Sequence, residues 1–233
     1  MLPTRADDPY IAWRPPFPEL ELRVGNSALL VVDMQYRSAH PDHGTALRLR
    51  AAGFEDAYRD YVSRLRLIVP NISRLQAAFR DAGMEVIHVR IRSMTTDGRD
   101  RGRLHKKLGH SAPPSSMETE ILAELAPLPN ELVFDKTAGS VFCATNLQWV
   151  LRNIGIENLV VCGVVTTGCV HTAVTDGADL GFHVGLVEDA CGAIVPAMHD
   201  ASVRILRDVY AKVMSTDEVV ACCAAAITPK AIV

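Results

Sequence analysis

Residues 159–175, LVVCGVVTTGCVHTAVT, constrain this chain more than any other stretch. A short β-branched apolar run at 159–165 is closed by Thr166, Thr167 and Gly168, the pattern of a buried strand ending in a tight turn. Val170, Ala173, Val174, Gly177 and Ala178 then recur at helical spacing, and the two threonines are cap candidates, so a helix opens at Cys169. That unit puts the Cys169 thiol at a helix N-terminus, just beyond the carboxyl end of a parallel strand. Open α/β sheets bind ligands along that edge. Free N–H groups and the helix dipole favour thiolate there and can hold an oxyanion, which suits a nucleophile.

The rest of the chain repeats the same alternation. The apolar run 28–32 is a first buried strand, ending in Asp33-Met34-Gln35. A carboxylate at that point is costly unless solvated, paired or used, and the alternative is a cap for the next segment. Residues 36–55 lack a period and read as a loop over the strand ends, a lid or substrate wall. Tyr58, Tyr61, Val62, Leu65, Ile68, Val69, Ile72, Leu75 and Phe79 mark one face of a long helix that Gly83 stops. Pro70 either kinks that helix or opens its second half. Strands follow at 84–91 and 131–134, the latter ending at Asp135-Lys136-Thr137. Between them, 92–114 is a basic loop without the glycine pattern of a phosphate loop. Its Arg99, Arg101, Arg103 and His105 read as rim or interface charges, with carboxylate binding as the alternative. Helices at 117–125 and 141–153, a strand at 182–187, an amphipathic helix at 198–210, a strand at 212–214 and a last helix capped by Asp217 complete the pattern. Strand–helix alternation throughout predicts a three-layer α/β/α, Rossmann-like architecture with parallel strands, one domain over 1–233.

A formal charge of −3 argues against a nucleic-acid or anionic-membrane partner. No apolar run approaches the ~20 residues of a membrane helix, and the charged, proline-rich start is no secretory leader. Six cysteines without a C-x-x-C pair fit reduced thiols and a cytoplasmic protein. Residues 1–24 read as an arm whose Tyr10, Trp13 and Phe17 pack on the domain or on a neighbouring subunit.

Three strand ends therefore carry Asp33, Lys136 and Cys169 on one sheet edge. Together they supply a base, a cation and a nucleophile, enough for acyl transfer. A structural ion pair beside a core cysteine is the alternative. LLVVDMQ at 29–35, KTAGSVF at 136–142 and GVVTTGCV at 163–170 resemble the isochorismatase-like cysteine hydrolase superfamily, over roughly residues 27–220. The resemblance implies a six-stranded parallel sheet of order 3-2-1-4-5-6 and a catalytic triad of Asp33, Lys136 and Cys169. It further implies a cis peptide at Val165–Thr166 and an oxyanion hole from the amides of Cys169 and of Val165 or Thr166. The activity implied is hydrolysis of a small carbamoyl, ureido or carboxamide compound with release of ammonia, through a thioester. The TTGCV form is most similar to N-carbamoylsarcosine amidase, biuret hydrolase, ureidoacrylate amidohydrolase and maleamate amidase. Vinyl-ether hydrolysis and a non-catalytic binding role are the alternatives, both disfavoured by an intact Asp33, Lys136 and Cys169. Val89-Arg90-Ile91-Arg92 stand where some members carry metal ligands, so neither metal nor other cofactor is expected. Gln35, Tyr36, Phe142, Thr166 and Thr167 are the substrate-pocket candidates. Members of this superfamily form dimers or tetramers, so a homodimer or homotetramer is expected.

Overall fold

A computed structural model describes residues 8–227. After a short N-terminal helix, α1 (Pro9–Ala12), the chain runs β1 (Ser27–Val32), α2 (Tyr36–Ala39), α3 (Gly44–Ala51), α4 (Glu55–Asp81) and β2 (Glu85–Ile91). Then come α5 (Arg103–Lys107), β3 (Leu132–Lys136), α6 (Val141–Ala144), α7 (Leu147–Asn153), β4 (Asn158–Val164) and α8 (His171–Asp179). β5 (His183–Gly192), α9 (Pro196–Leu206), β6 (Lys212–Met214) and α10 (Thr216–Ile227) finish it. The six strands form one sheet of order β3-β2-β1-β4-β5-β6, and every neighbouring pair is parallel. Every residue of β1 and of β4 is buried, as their unbroken apolar runs require of central strands covered on both faces. Gly163 makes their contact possible. Its φ is +117°, and a Cβ there would lie 2.1 Å from the Val32 carbonyl oxygen.

Several expected elements differ in detail. α4 runs unbroken through Pro70, which is exposed, as is Arg66, whose carbonyl loses its helical partner to the proline. Residues 36–55 hold two short helices rather than a loop; one and two turns are too few for a period to show. The helix expected at 117–125 is two single 3₁₀ turns, Met117–Thr119 and Ala123–Leu125. β5 runs to Gly192, past a register shift against β4 between Val161 and Gly163. Asp217 is not the cap of α10. Ser215 and Glu218 form a reciprocal capping pair, Ser215 N donating to Glu218 Oε2 at 2.7 Å and Glu218 N to Ser215 Oγ at 3.3 Å. Asp217 instead pairs with Arg74 at 2.6 Å. Residues 1–7 of the expected arm and the Tyr10 side chain lie outside what is described. Trp13 is exposed, while Leu20 and Leu22 join the core. No helix among the described residues is long and apolar enough to cross a membrane.

Candidate active site

β1 ends at Val32, and Asp33 takes a left-handed conformation, φ +52°. Its N–H donates to Val89 O of β2 at 2.9 Å, and Gln35 N closes the turn onto Asp33 O at 2.8 Å. Gln35 then locks the turn in place. Its Nε2 donates to Ile91 O and Thr119 O at 3.0 and 2.7 Å, and its Oε1 accepts from Ile91 N at 2.7 Å. Fully buried, with its amide spent on backbone, Gln35 is a clamp for the turn and not the substrate contact expected of it.

Lys136, the last residue of β3, is completely buried. Its Nζ lies 2.9 Å from Asp33 Oδ2 and donates to Cys169 Sγ and to Ala138 O, each at 3.1 Å. Burial alone would lower its pKa, but the Asp33 carboxylate, with the Cys169 sulfur beside it, outweighs this and raises it, so the ammonium stays charged. Apart from that contact with Lys136 Nζ, no hydrogen bond among the described residues is made to either Asp33 oxygen. Buried carboxylate oxygens free to accept are available to a proton on a ligand or on the thiol.

Cys169 stands in a wide turn, Thr166–Val170, wound with π-type spacing, and α8 starts only at His171. Gly168 N and Val170 N both donate to Val165 O, at 2.9 and 3.3 Å. The cis peptide is Val164–Val165, not Val165–Thr166. β4 ends at Val164, one residue earlier than expected, and the bond leaving the strand moves with it. Burial first, and then the Asp33 charge, push the Cys169 thiol up to about 12 against the opposing pull of Lys136. The resting thiol therefore keeps its proton at neutral pH, and a base must take it.

The other candidates divide. Thr166 is fully buried, its hydroxyl 2.8 Å from His199 Nδ1 and turned to α9, whereas Thr167 is exposed on the turn. Phe142 is core. Its ring stacks on Phe182 with centroids 5.9 Å apart and lies against Gly177, which also abuts Leu159 and Val184 near the amino ends of β4 and β5. That places it at the opposite end of the strands from Cys169. Tyr36 is half-buried and stacks on His40, with ring centroids 5.1 Å apart.

Two further groups stand by the site: Arg37, and His105, which was expected as a rim or interface charge with carboxylate binding as the alternative. Arg37 is buried, donating to Ser111 O at 2.9 Å and lying 3.2 Å from His110 Nδ1, with no carboxylate pair among the described residues. Burial lowers its pKa, and the Asp33 charge pulls the other way, which marks it as a neighbour of the site. His105 is buried with an unpartnered Nδ1; burial, then the Lys136 charge, push it down to about 4. Arg37 stands two residues after the DMQ that closes LLVVDMQ, and that position was its only signal in the sequence. Among the described residues, no three His, Cys, Asp or Glu side chains stand close enough to hold a metal ion.

Ionisable side chains gathered at the carboxyl edge of an all-parallel open sheet mark an α/β protein whose candidate site lies in the usual crevice of that class. The chain belongs to the isochorismatase family of hydrolases, whose Isochorismatase domain matches residues 27–218. It is 29% identical over 161 residues to an N-carbamoylsarcosine amidase of an Arthrobacter species, a match covering 67% of this chain and 61% of that one. It is 29% identical to the ureidoacrylate amidohydrolase RutB of Acinetobacter baylyi, over 86% of this chain and 85% of that one. Among solved structures, a cysteine hydrolase from Pseudomonas syringae pv. phaseolicola superposes with a TM-score of 0.79 at 25% identity, covering 92% of this chain and 99% of that one.

Proposed function

We propose that this chain is a cysteine-dependent amidohydrolase that cleaves a small carbamoyl, ureido or carboxamide substrate. The observation that carries the reading is the Lys136 ammonium, buried between Asp33 at 2.9 Å and the Cys169 sulfur at 3.1 Å. Asp33 takes the thiol proton, and the thiolate attacks the amide carbon beside a cation that offsets its charge. The backbone N–H of Cys169, with that of Val165 or Thr166, holds the oxyanion. Asp33 then returns the proton to the departing nitrogen, which leaves as ammonia. Water, deprotonated by Asp33, cleaves the thioester and restores the thiol. A thiol held near 12 makes Asp33 indispensable to the first step. The relatives' names, an N-carbamoylsarcosine amidase and a ureidoacrylate amidohydrolase, support C–N bond cleavage.

Arg37 narrows the substrate. A buried guanidinium without a carboxylate partner among the described residues favours an amide or urea that also carries an anionic group. A panel of small amides and ureas, with and without a carboxylate, assayed for ammonia, tests both statements. Ammonia release that survives in Cys169→Ala overturns the mechanism. The expected assembly is a homodimer or homotetramer, and light scattering that returns a monomer overturns it.

A further inference from the structure

Thr166 is held from two sides by side chains that the chemistry above does not use. Arg64 of α4 reaches under the sheet edge, its Nε donating to Cys191 O at 2.7 Å and its Nη2 to Glu188 O at 2.5 Å. The same Nη2 lies 3.0 Å from His199 Nε2, and His199 Nδ1 lies 2.8 Å from Thr166 Oγ1. On the other side, Ser202 Oγ donates to Thr166 O at 3.0 Å and lies 2.8 Å from His171 Nδ1. His199, Ser202 and Thr166 are all buried.

The donors in this network can be assigned by elimination. A guanidinium has no acceptor, so His199 Nε2 must present its lone pair to Arg64. The one hydrogen of the neutral ring then sits on Nδ1 and is donated to Thr166 Oγ1. A carbonyl only accepts, so Ser202 gives its single hydroxyl hydrogen to Thr166 O. His171 Nδ1 must therefore carry a hydrogen and donate to Ser202. Both chains of donation converge on Thr166, the first residue of the turn that carries Cys169. They tie that turn to α4, α8 and α9.

We propose that His199, in the Nδ1–H tautomer imposed by Arg64, is a positioning residue that sets Cys169 against Lys136 by fixing Thr166. This rests on the reading of Cys169 as a nucleophile. A thiol displaced from its partners by an ångström reacts slowly even in a correctly folded protein.

The test combines a spectrum with a rescue. Long-range ¹H–¹⁵N correlation of the histidine side chains at pH 7 is expected to show His199 as the neutral Nδ1–H tautomer; an Nε2–H or doubly protonated ring overturns the assignment. Iodoacetamide labelling of Cys169, followed by peptide mass spectrometry, is expected to slow roughly 10- to 100-fold in His199→Ala. Labelling in His199→Asn, whose amide can place an N–H where Nδ1 stood, is expected to return to within a few-fold of the parent. Equal labelling in parent and folded His199→Ala overturns the proposal. So does His199→Asn as slow as His199→Ala, since packing alone would then explain the loss. Should Cys169→Ala release ammonia as fast as the parent, the nucleophile reading fails, and the positioning role fails with it. The tautomer spectrum still reports on Arg64 and His199 by themselves.

Discussion

The two ends of the central strands β1 and β4 use polar groups in opposite ways. At the amino end, neutral groups satisfy one another. Ser27 Oγ donates to Asn26 Oδ1 at 2.9 Å, Asn158 Nδ2 donates to the same oxygen at 3.2 Å, and Arg23 N donates to Ser27 Oγ at 2.9 Å. At the carboxyl end, a carboxylate, an ammonium and a thiol stand together, and beyond the Lys136 contact the carboxylate oxygens have no hydrogen bond among the described residues. The first arrangement closes a sheet edge with modest hydrogen bonds. The second keeps costly charge in place with acceptor capacity left over, which folding alone has no reason to retain. The same strands thus carry a stabilising end and the end that the proposed function makes reactive.

That contrast can be broken by substitution, beginning with the largest effect. Cys169→Ala is expected to abolish ammonia release, read in the ammonia assay, from a protein that still unfolds cooperatively in urea. Asp33→Asn removes the base and is expected to lower kcat by about 10²–10⁴-fold, read by steady-state kinetics. Asp33→Leu goes further and leaves the Lys136 ammonium buried and unpaired. Urea unfolding should show a loss of about 3–5 kcal/mol. Arg37→Met is expected to raise KM for a carboxylate-bearing amide by roughly 10- to 100-fold, matching one charge-assisted hydrogen bond, with neutral amides little affected. At the amino end, Asn158→Ala should cost about 1 kcal/mol in the same unfolding assay and leave turnover intact. A comparable stability loss at both ends would erase the distinction.

Acid sharpens it further. Burial first, then Lys136, holds His105 at about 4, and burial first, then Arg64, holds His199 at about 4. Each lies below its ordinary 6.5, so between pH 6.5 and 4 the unfolded chain binds protons that the folded chain refuses. Stability from these groups is complete above 6.5 and declines as pH falls toward 4. Urea midpoints at pH 7.5 and 5.0 should differ in that direction, and less so in His199→Asn.

Much of this was legible from residue order. The apolar runs of β1 and β4, the long apolar face of α4 and the strand at Lys212–Met214 all follow from local pattern. So did the three strand-end residues, because a parallel sheet puts every strand's carboxyl end on one edge. The pocket candidates fared worse. Gln35 and Phe142 have the chemistry of pocket residues, yet one is a backbone clamp and the other is core at the far end of the strands. Which side of a turn a side chain leaves from depends on backbone angles, such as the left-handed Asp33, that composition does not encode. Arg64, His199 and Ser202 come from helices remote in sequence, and nothing local marks them as partners of Thr166.

The sequence by itself determined the alternation of strand and helix, the parallel sheet and the turn that carries Cys169. These rest on periodicity and on short-range sterics, which neighbouring residues suffice to specify. Only the tertiary structure decided that Lys136 sits between Asp33 and Cys169, that Arg37 is buried with no acid paired to it among the described residues, and that Thr166 is held from α8 and α9. Those facts depend on distances between residues far apart in the chain, and on burial, which makes a charge costly enough to be informative.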